Sequence, residues 1–189
     1  ADDYFKKFLG QYKGKNYLRE TNRKLAWYGL VFQRPDIYKY YISRVLVSGN
    51  NSLDEDKAAT REAESKQTPL TVLLKARLLS DGGYYEKALK ILETSDPKTL
   101  KFEDKLEFYY RKARILDDMG QGSRAIVFYE WVIKYGVRSN TYFAPNSCIK
   151  LGNYYEHIRD KKTAALYYQK AYLNCCYYIG MGNTAFIIF

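Results

Sequence analysis

The chain has 189 residues, is 47% hydrophobic and 28% charged, and carries 31 Lys and Arg against 21 Asp and Glu, a net charge of +10. That balance belongs to a globular protein with a sizeable core rather than to a disordered tail. Three cysteines exclude a disulfide framework, a single histidine (His157) leaves little for histidine-based zinc sites or catalysis, and no run nears the roughly 18 apolar residues of a membrane-spanning helix.

From the N-terminus onward, apolar residues recur at helical rather than alternating spacing, and no strand pair emerges. The start at Ala1, with no secretory leader, is that of a processed product or an excised segment and leaves the compartment open. The spacing predicts helices near 2–10, 15–33, 35–48, 53–65, 69–81, 84–95, 102–119, 122–135, 142–158 and 161–174, with a further one near 176–186. Pro35, Pro69, Pro97 and Pro145 all stand near a boundary of this series. Ser52 with Glu55 fits a capping box, and Thr68-Pro69 reads as an N-cap followed by the first helical residue. Ser48–Ser52 is the one obvious linker, and Asp81-Gly82-Gly83 and Gly120-Gln121-Gly122 read as tight turns between helices. Charge is spread along the chain, net +4 over residues 1–66 and +6 over 67–189.

Internal similarity organises the second part of the chain. Ala76, Ala113 and Gly152 are each followed twelve residues later by an alanine, Ala88, Ala125 and Ala164. Large apolar residues stand one turn beyond every small one, at Leu79, Leu116 and Tyr155 and at Leu92, Tyr129 and Tyr168. Two helices of a hairpin approach closely only where small side chains face each other, and the large residues fill the space between hairpins. This pattern, strongest in Leu151-Gly152, Tyr155, Ala164, Tyr168 and Ala171, resembles the tetratricopeptide repeat. Lys75 and Lys112 stand where that family usually has leucine, the closing proline is absent, and the intervals of 37 and 39 residues between alanines exceed the usual period of about 34. Through Leu73-Leu-Lys-Ala-Arg-Leu-Leu and Gly82-Gly-Tyr-Tyr the chain looks like the C-terminal part of bacterial tetratricopeptide-repeat proteins, a likeness that supplies no assigned activity.

The resemblance implies an all-α, right-handed solenoid of antiparallel helical hairpins. Residues 1–66 are expected to form helical hairpins stacked on the repeats, although they match the repeat poorly. Residues 67–175 hold three repeats (about 69–100, 102–139 and 141–175), and 176–189 form an apolar capping segment. That ending, with Tyr177, Tyr178, Ile179, Phe186, Ile187, Ile188 and Phe189, either folds back on the third repeat or is covered by another chain, giving self-association.

If the small residues point within each hairpin, the opposite faces of the first helices line a concave groove. Arg77, Arg111, Arg114 and Lys150 then form a basic stripe, with Tyr110 and Asn153 among them. Guanidinium groups suit an acidic peptide, so these six residues are the expected contacts of a non-catalytic protein-interaction scaffold; a solvated helix face with no ligand is the competing reading. The 21 Tyr, 9 Phe and 2 Trp among basic residues keep RNA binding as the alternative function, although most tyrosines fall on packing faces. No nucleophile with a base, no phosphate loop and no metal-ligand spacing is present, so no enzyme, cofactor or metal is expected. Cys148, Cys175 and Cys176 read as buried small hydrophobes.

Overall fold

A computed structural model describes the backbone of residues 2–180 and side chains through Leu173; residues 181–189, most of the expected capping segment, lie outside the described residues. All the regular structure among the described residues is helical. In chain order the helices are α1 (Asp2–Gln11), α2 (Leu18–Val31), α3 (Pro35–Val45), α4 (Asp54–Ser65) and α5 (Thr71–Asp81). They continue as α6 (Tyr85–Leu92), α7 (Phe102–Asp118), α8 (Gly122–Gly136), α9 (Phe143–His157) and α10 (Lys161–Gly180). The helix expected at 176–186 has no separate start, because residues 176–180 continue α10. No helix among the described residues is long and apolar enough to cross a membrane.

The chain divides into two compact units, residues up to Leu74 and residues from Lys75 onward, the break falling inside α5. In the first unit α2 is central, packing on α1, α3 and α4. Leu25, Ala26, Trp27, Val45 and Ala59 are buried in it. Two expected caps are not made there. Ser52 Oγ lies against Asn16 and Asn50 side chains instead of capping α4, which follows Leu53. Thr68 hydrogen-bonds the Tyr38 hydroxyl, and α5 begins only at Thr71. The polar stretch Ser48–Ser52 is a pinned turn rather than a linker. The Ser48 carbonyl accepts from Arg19 Nε at 3.0 Å, and the Asn50 amide donates to the Lys15 carbonyl at 2.9 Å. A Cβ on Gly49 would strike that Lys15 carbonyl, and φ there is +54°, so glycine is required.

In the second unit each helix packs on the next from α6 through α10, and α7 also reaches α9. Its core runs from Leu106 and Tyr110 through Ala125 and Tyr129 to Leu151 and Tyr167. Ala76, Ala88, Ala113, Ala125 and Ala164 are all buried, none above 4% exposed. Gly152 is the tightest approach, since a Cβ there would lie 2.4 Å from the Tyr168 ring of α10.

Four turns share one backbone solution. At Gly120 (φ +74°) the amide donates to the Asp117 carbonyl and the next amide, Gln121, to Leu116, both at 2.8 Å. The same pair of bonds closes α5 at Gly83, α9 at Arg159 and α2 at Gln33, where φ is +79°, +65° and +57°. This is the Schellman closure, which satisfies the last helix carbonyls and reverses the chain. Its presence after α2 makes α2–α3 a hairpin of the same kind as α7–α8 and α9–α10. Ala26 stands seven residues before the left-handed residue, as Ala76, Ala113 and Gly152 do in the other three.

Candidate functional site

The six expected contact residues fall in the second unit, and four of them, Tyr110, Arg111, Arg114 and Lys150, converge where α7 meets α9. On α9, Tyr142, Asn146 and Lys150 follow one another at four-residue intervals and therefore share a face. Tyr142, immediately before the helix, accepts a hydrogen bond from Arg111 Nη2 at 3.3 Å. Asn146 Nδ2 donates to the Tyr110 hydroxyl at 3.4 Å, and Lys150 Nζ lies 3.7 Å from Asp117 Oδ2. One face of α9 is thus tied to α7 at three successive turns.

The burial differs from the expectation. Tyr110 is 1% exposed and Arg111 8%, so neither lines an open groove. Tyr110 packs edge-on to Tyr142 and tilted against Phe143, with ring centroids 5.7 and 5.0 Å away. Burial and the neighbouring Tyr142 hold the Tyr110 hydroxyl in its neutral form well above the usual tyrosine range. Burial alone would pull the Arg111 guanidinium down, but Tyr142 and the Glu107 carboxylate, 3.0 Å away, more than reverse it and keep the charge. These two residues build the floor of the face. Arg77, Arg114 and Lys150 remain part exposed and Asn153 exposed.

The face is charge-balanced rather than basic. Arg77 pairs with Asp81 at 3.7 Å, Arg111 with Glu107 at 3.0 Å, Arg114 with Asp118 at 3.7 Å and Lys150 with Asp117 at 3.7 Å. Three of these pairs are one helical turn apart on one helix, a spacing that brings opposite charges together. Arg114 also donates to the Tyr110 hydroxyl at 3.4 Å, and its Nε is buried without a hydrogen-bond partner. Asn153 Oδ1 accepts from the Tyr168 hydroxyl at 2.8 Å, tying α9 to α10. His157 is exposed at the end of α9, and no cluster of three or more His, Cys, Asp or Glu among the described residues is placed to hold a metal. Cys148 is fully buried, while the side chains of Cys175 and Cys176 lie outside the described residues.

A second polar cluster, in the first unit, escaped the sequence reading. Asp56 of α4 is fully buried, and its carboxylate accepts from the backbone amides of Tyr17 (2.7 Å), Arg19 (3.1 Å) and Glu20 (3.1 Å). It caps α2 from another helix, where Tyr17, at φ 61°, supplies no side-chain cap of its own. Arg19 Nη1 donates to Thr60 one turn along α4 at 2.8 Å, and Trp27 Nε1 donates to Glu62 at 2.6 Å. The acidic run Asp54-Glu55-Asp56 reads as a favourable helix start, which holds for Asp54 and Glu55 but misses the task of Asp56.

Comparison with protein-family models, with curated proteins and with solved structures returned no significant match.

Proposed function

We propose that the chain is a non-catalytic scaffold of tetratricopeptide-like hairpins, coiling in a right-handed sense, that receives a segment of a partner protein on its α7–α9 face. The observation that carries this reading is the recurrence of one closing turn, with buried small side chains at matched positions on the helices that flank it and Gly152 pressed on Tyr168. A rigid face of this kind binds a segment without first ordering the receptor, which lowers the entropic cost of association. Arg77, Arg114, Lys150 and Asn153 are the contacts a partner reaches, with Tyr110 and Arg111 fixing their positions from beneath. Because these cations sit beside carboxylates, the matching segment carries charges of both signs, exchanging partners with the pairs at Asp117 and Asp118.

Charge reversal tests the reading at the exposed pair. Arg114→Glu combined with Lys150→Glu is expected to abolish capture of protein partners from nuclease-treated native extract while helix content and melting temperature stay near wild type. Reversing Arg111 would confound the experiment, since a carboxylate buried beside Glu107 unfolds the face instead of probing it. Undiminished capture by the folded double variant overturns the assignment.

A further inference from the structure

The face that α7 shares with α8 handles charge in the opposite way. Four rings run there in continuous contact. Phe128 lies nearly parallel to Tyr109 with centroids 6.0 Å apart, Tyr109 meets Trp131 at 4.3 Å, and Trp131 meets Tyr135 at 4.7 Å. A lysine stands over the ring at each end of this ladder, Lys112 at 5.0 Å from Phe128 and Lys134 at 5.3 Å from Tyr135. Tyr109, Phe128 and Trp131 pack their inner sides on the core and are only partly buried, while Tyr135 is 46% exposed. Helical spacing adds Lys105 one turn before Tyr109 and Arg124 one turn before Phe128.

Lys105, Lys112, Arg124 and Lys134 make no ion pair among the described residues. Most acids of the two helices are engaged elsewhere: Glu107 with Arg111, Asp117 with Lys150, Asp118 with Arg114, and Glu130 as acceptor from the Tyr167 hydroxyl at 3.0 Å. Only Glu103 and Asp104, in the first turn of α7, lie outside those pairings. The cations of α7 and α8 that no carboxylate pairs therefore lie along the same face as the run of rings.

We propose that the α7–α8 face is a binding site for single-stranded nucleic acid, with bases lying against the ring ladder and phosphates meeting Lys112, Arg124 and Lys134. An acidic peptide would use the cations alone. A single strand supplies both a π face and a negative charge at every nucleotide, and stacking on rings tolerates any base. A duplex stacks its bases on one another and offers this face little beyond the electrostatic part. This site lies on a different face from the proposed partner contacts, so the two assignments stand or fall separately.

Fluorescence anisotropy of a labelled oligouridine, titrated with the full chain over a range of salt, tests the proposal. Lys112→Glu with Lys134→Glu is expected to weaken binding at least about tenfold and to flatten the salt dependence by about 0.7 in log–log slope for each phosphate no longer neutralised. The Gln versions of both substitutions supply the same readout if the Glu pair loses helix content. Tyr135→Ala is expected to weaken binding about tenfold with the salt slope unchanged, the signature of a missing stack. Arg114→Glu, on the other face, leaves binding unaltered. Absence of binding at low salt overturns the proposal, as does equal weakening by Arg114→Glu. If Tyr135→Ala changes nothing and polyglutamate displaces the RNA charge for charge, the face serves acidic protein instead and the proposal also fails.

Discussion

The hairpins α2–α3 and α9–α10 turn through the same backbone conformation, yet they close on different chemistry. In α9–α10 the small residue is Gly152, seven positions before the turn, and what presses on it is a side chain, the ring of Tyr168. In α2–α3 the tight point is Gly29, four positions before the turn, and what presses on it is backbone, the Tyr38 amide nitrogen and the Arg34 carbonyl. The other hairpins carry a large residue at that position (Leu79, Leu116, Tyr155) and an alanine where Tyr38 stands. Small and large have traded places across the turn. Hairpin geometry is thus set by where the chain reverses and how closely two axes approach, and more than one assignment of side chains satisfies it.

The caps sharpen the contrast and carry the largest expected effect. Helix α10 is capped locally, by the exposed Asp160 accepting from the Thr163 amide at 3.0 Å. Helix α2 depends on Asp56, remote in sequence and wholly buried. Asp56→Ala strips three backbone amides of their acceptor inside the protein and is expected to cost about 3–5 kcal/mol, since a buried donor left unmet costs roughly 1–3 kcal/mol. Asp160→Ala leaves its amides facing water and should cost a small fraction of that. Urea denaturation of the two variants checks the ranking, and equal losses would mean that α2 is not held from α4.

Next come the two glycines. Alanine at Gly29 places a Cβ 2.6 Å from the Tyr38 nitrogen and 2.9 Å from the Arg34 carbonyl, and neither can move without prising the helices apart. Alanine at Gly152 meets a ring that can swing, although doing so pulls its hydroxyl proton away from the Asn153 and Glu156 oxygens, each 2.8 Å from the phenol oxygen. Overpacking costs typically 1–3 kcal/mol and the helical gain of alanine over glycine returns about 1. Gly29→Ala is therefore expected to destabilise by about 2 kcal/mol and Gly152→Ala by about 1 kcal/mol or less. Reversal of that order in thermal melts would break the comparison.

Much of this was legible in the amino-acid order. Helix positions followed from apolar spacing, and the turns at Gly83 and Gly120 from glycines that take positive φ without strain. The fellow turns at Gln33 and Arg159 gave no such mark, because side chains occupy the left-handed position at a cost of about 1–2 kcal/mol. That silence, together with the exchange of Gly29 and Tyr38, hid the likeness of the expected α2–α3 hairpin to the later ones. On the candidate face, the matched positions of the hairpins set Arg114 on α7 and Lys150 on α9, where they pair with the neighbouring Asp118 and Asp117. Helical spacing could not show that Tyr142 and Phe143, some thirty residues downstream, lie over Tyr110 and Arg111 and bury them. Carboxylates four residues from Arg77, Arg111 and Arg114 were visible, and the helical pairing rule applied to them foretells the charge balance.

The smallest expected effect concerns the ring that closes α9–α10. Burial, and donation of its hydroxyl to the negatively charged Glu156, push Tyr168 up to about 12 from the ordinary 10.0. The folded protein therefore holds this proton more tightly than the unfolded chain does. Its contribution to stability is complete below pH 10 and drains away as pH rises toward about 12, where the folded form also ionises. Tyr168→Phe removes the group and the proton it shares between Asn153 and Glu156, so wild type should be the more stable at neutral pH and should lose that lead in alkaline solution. Melting temperatures of both proteins from pH 8 to the alkaline limit read the difference directly. Buried Tyr110, Tyr129 and Tyr167, also displaced upward, will lower both curves together, which is why the gap rather than either curve is diagnostic. A gap that stays constant would mean that the hydroxyl of Tyr168 does not hold α10 to α9, and that Gly152 alone sets their closeness.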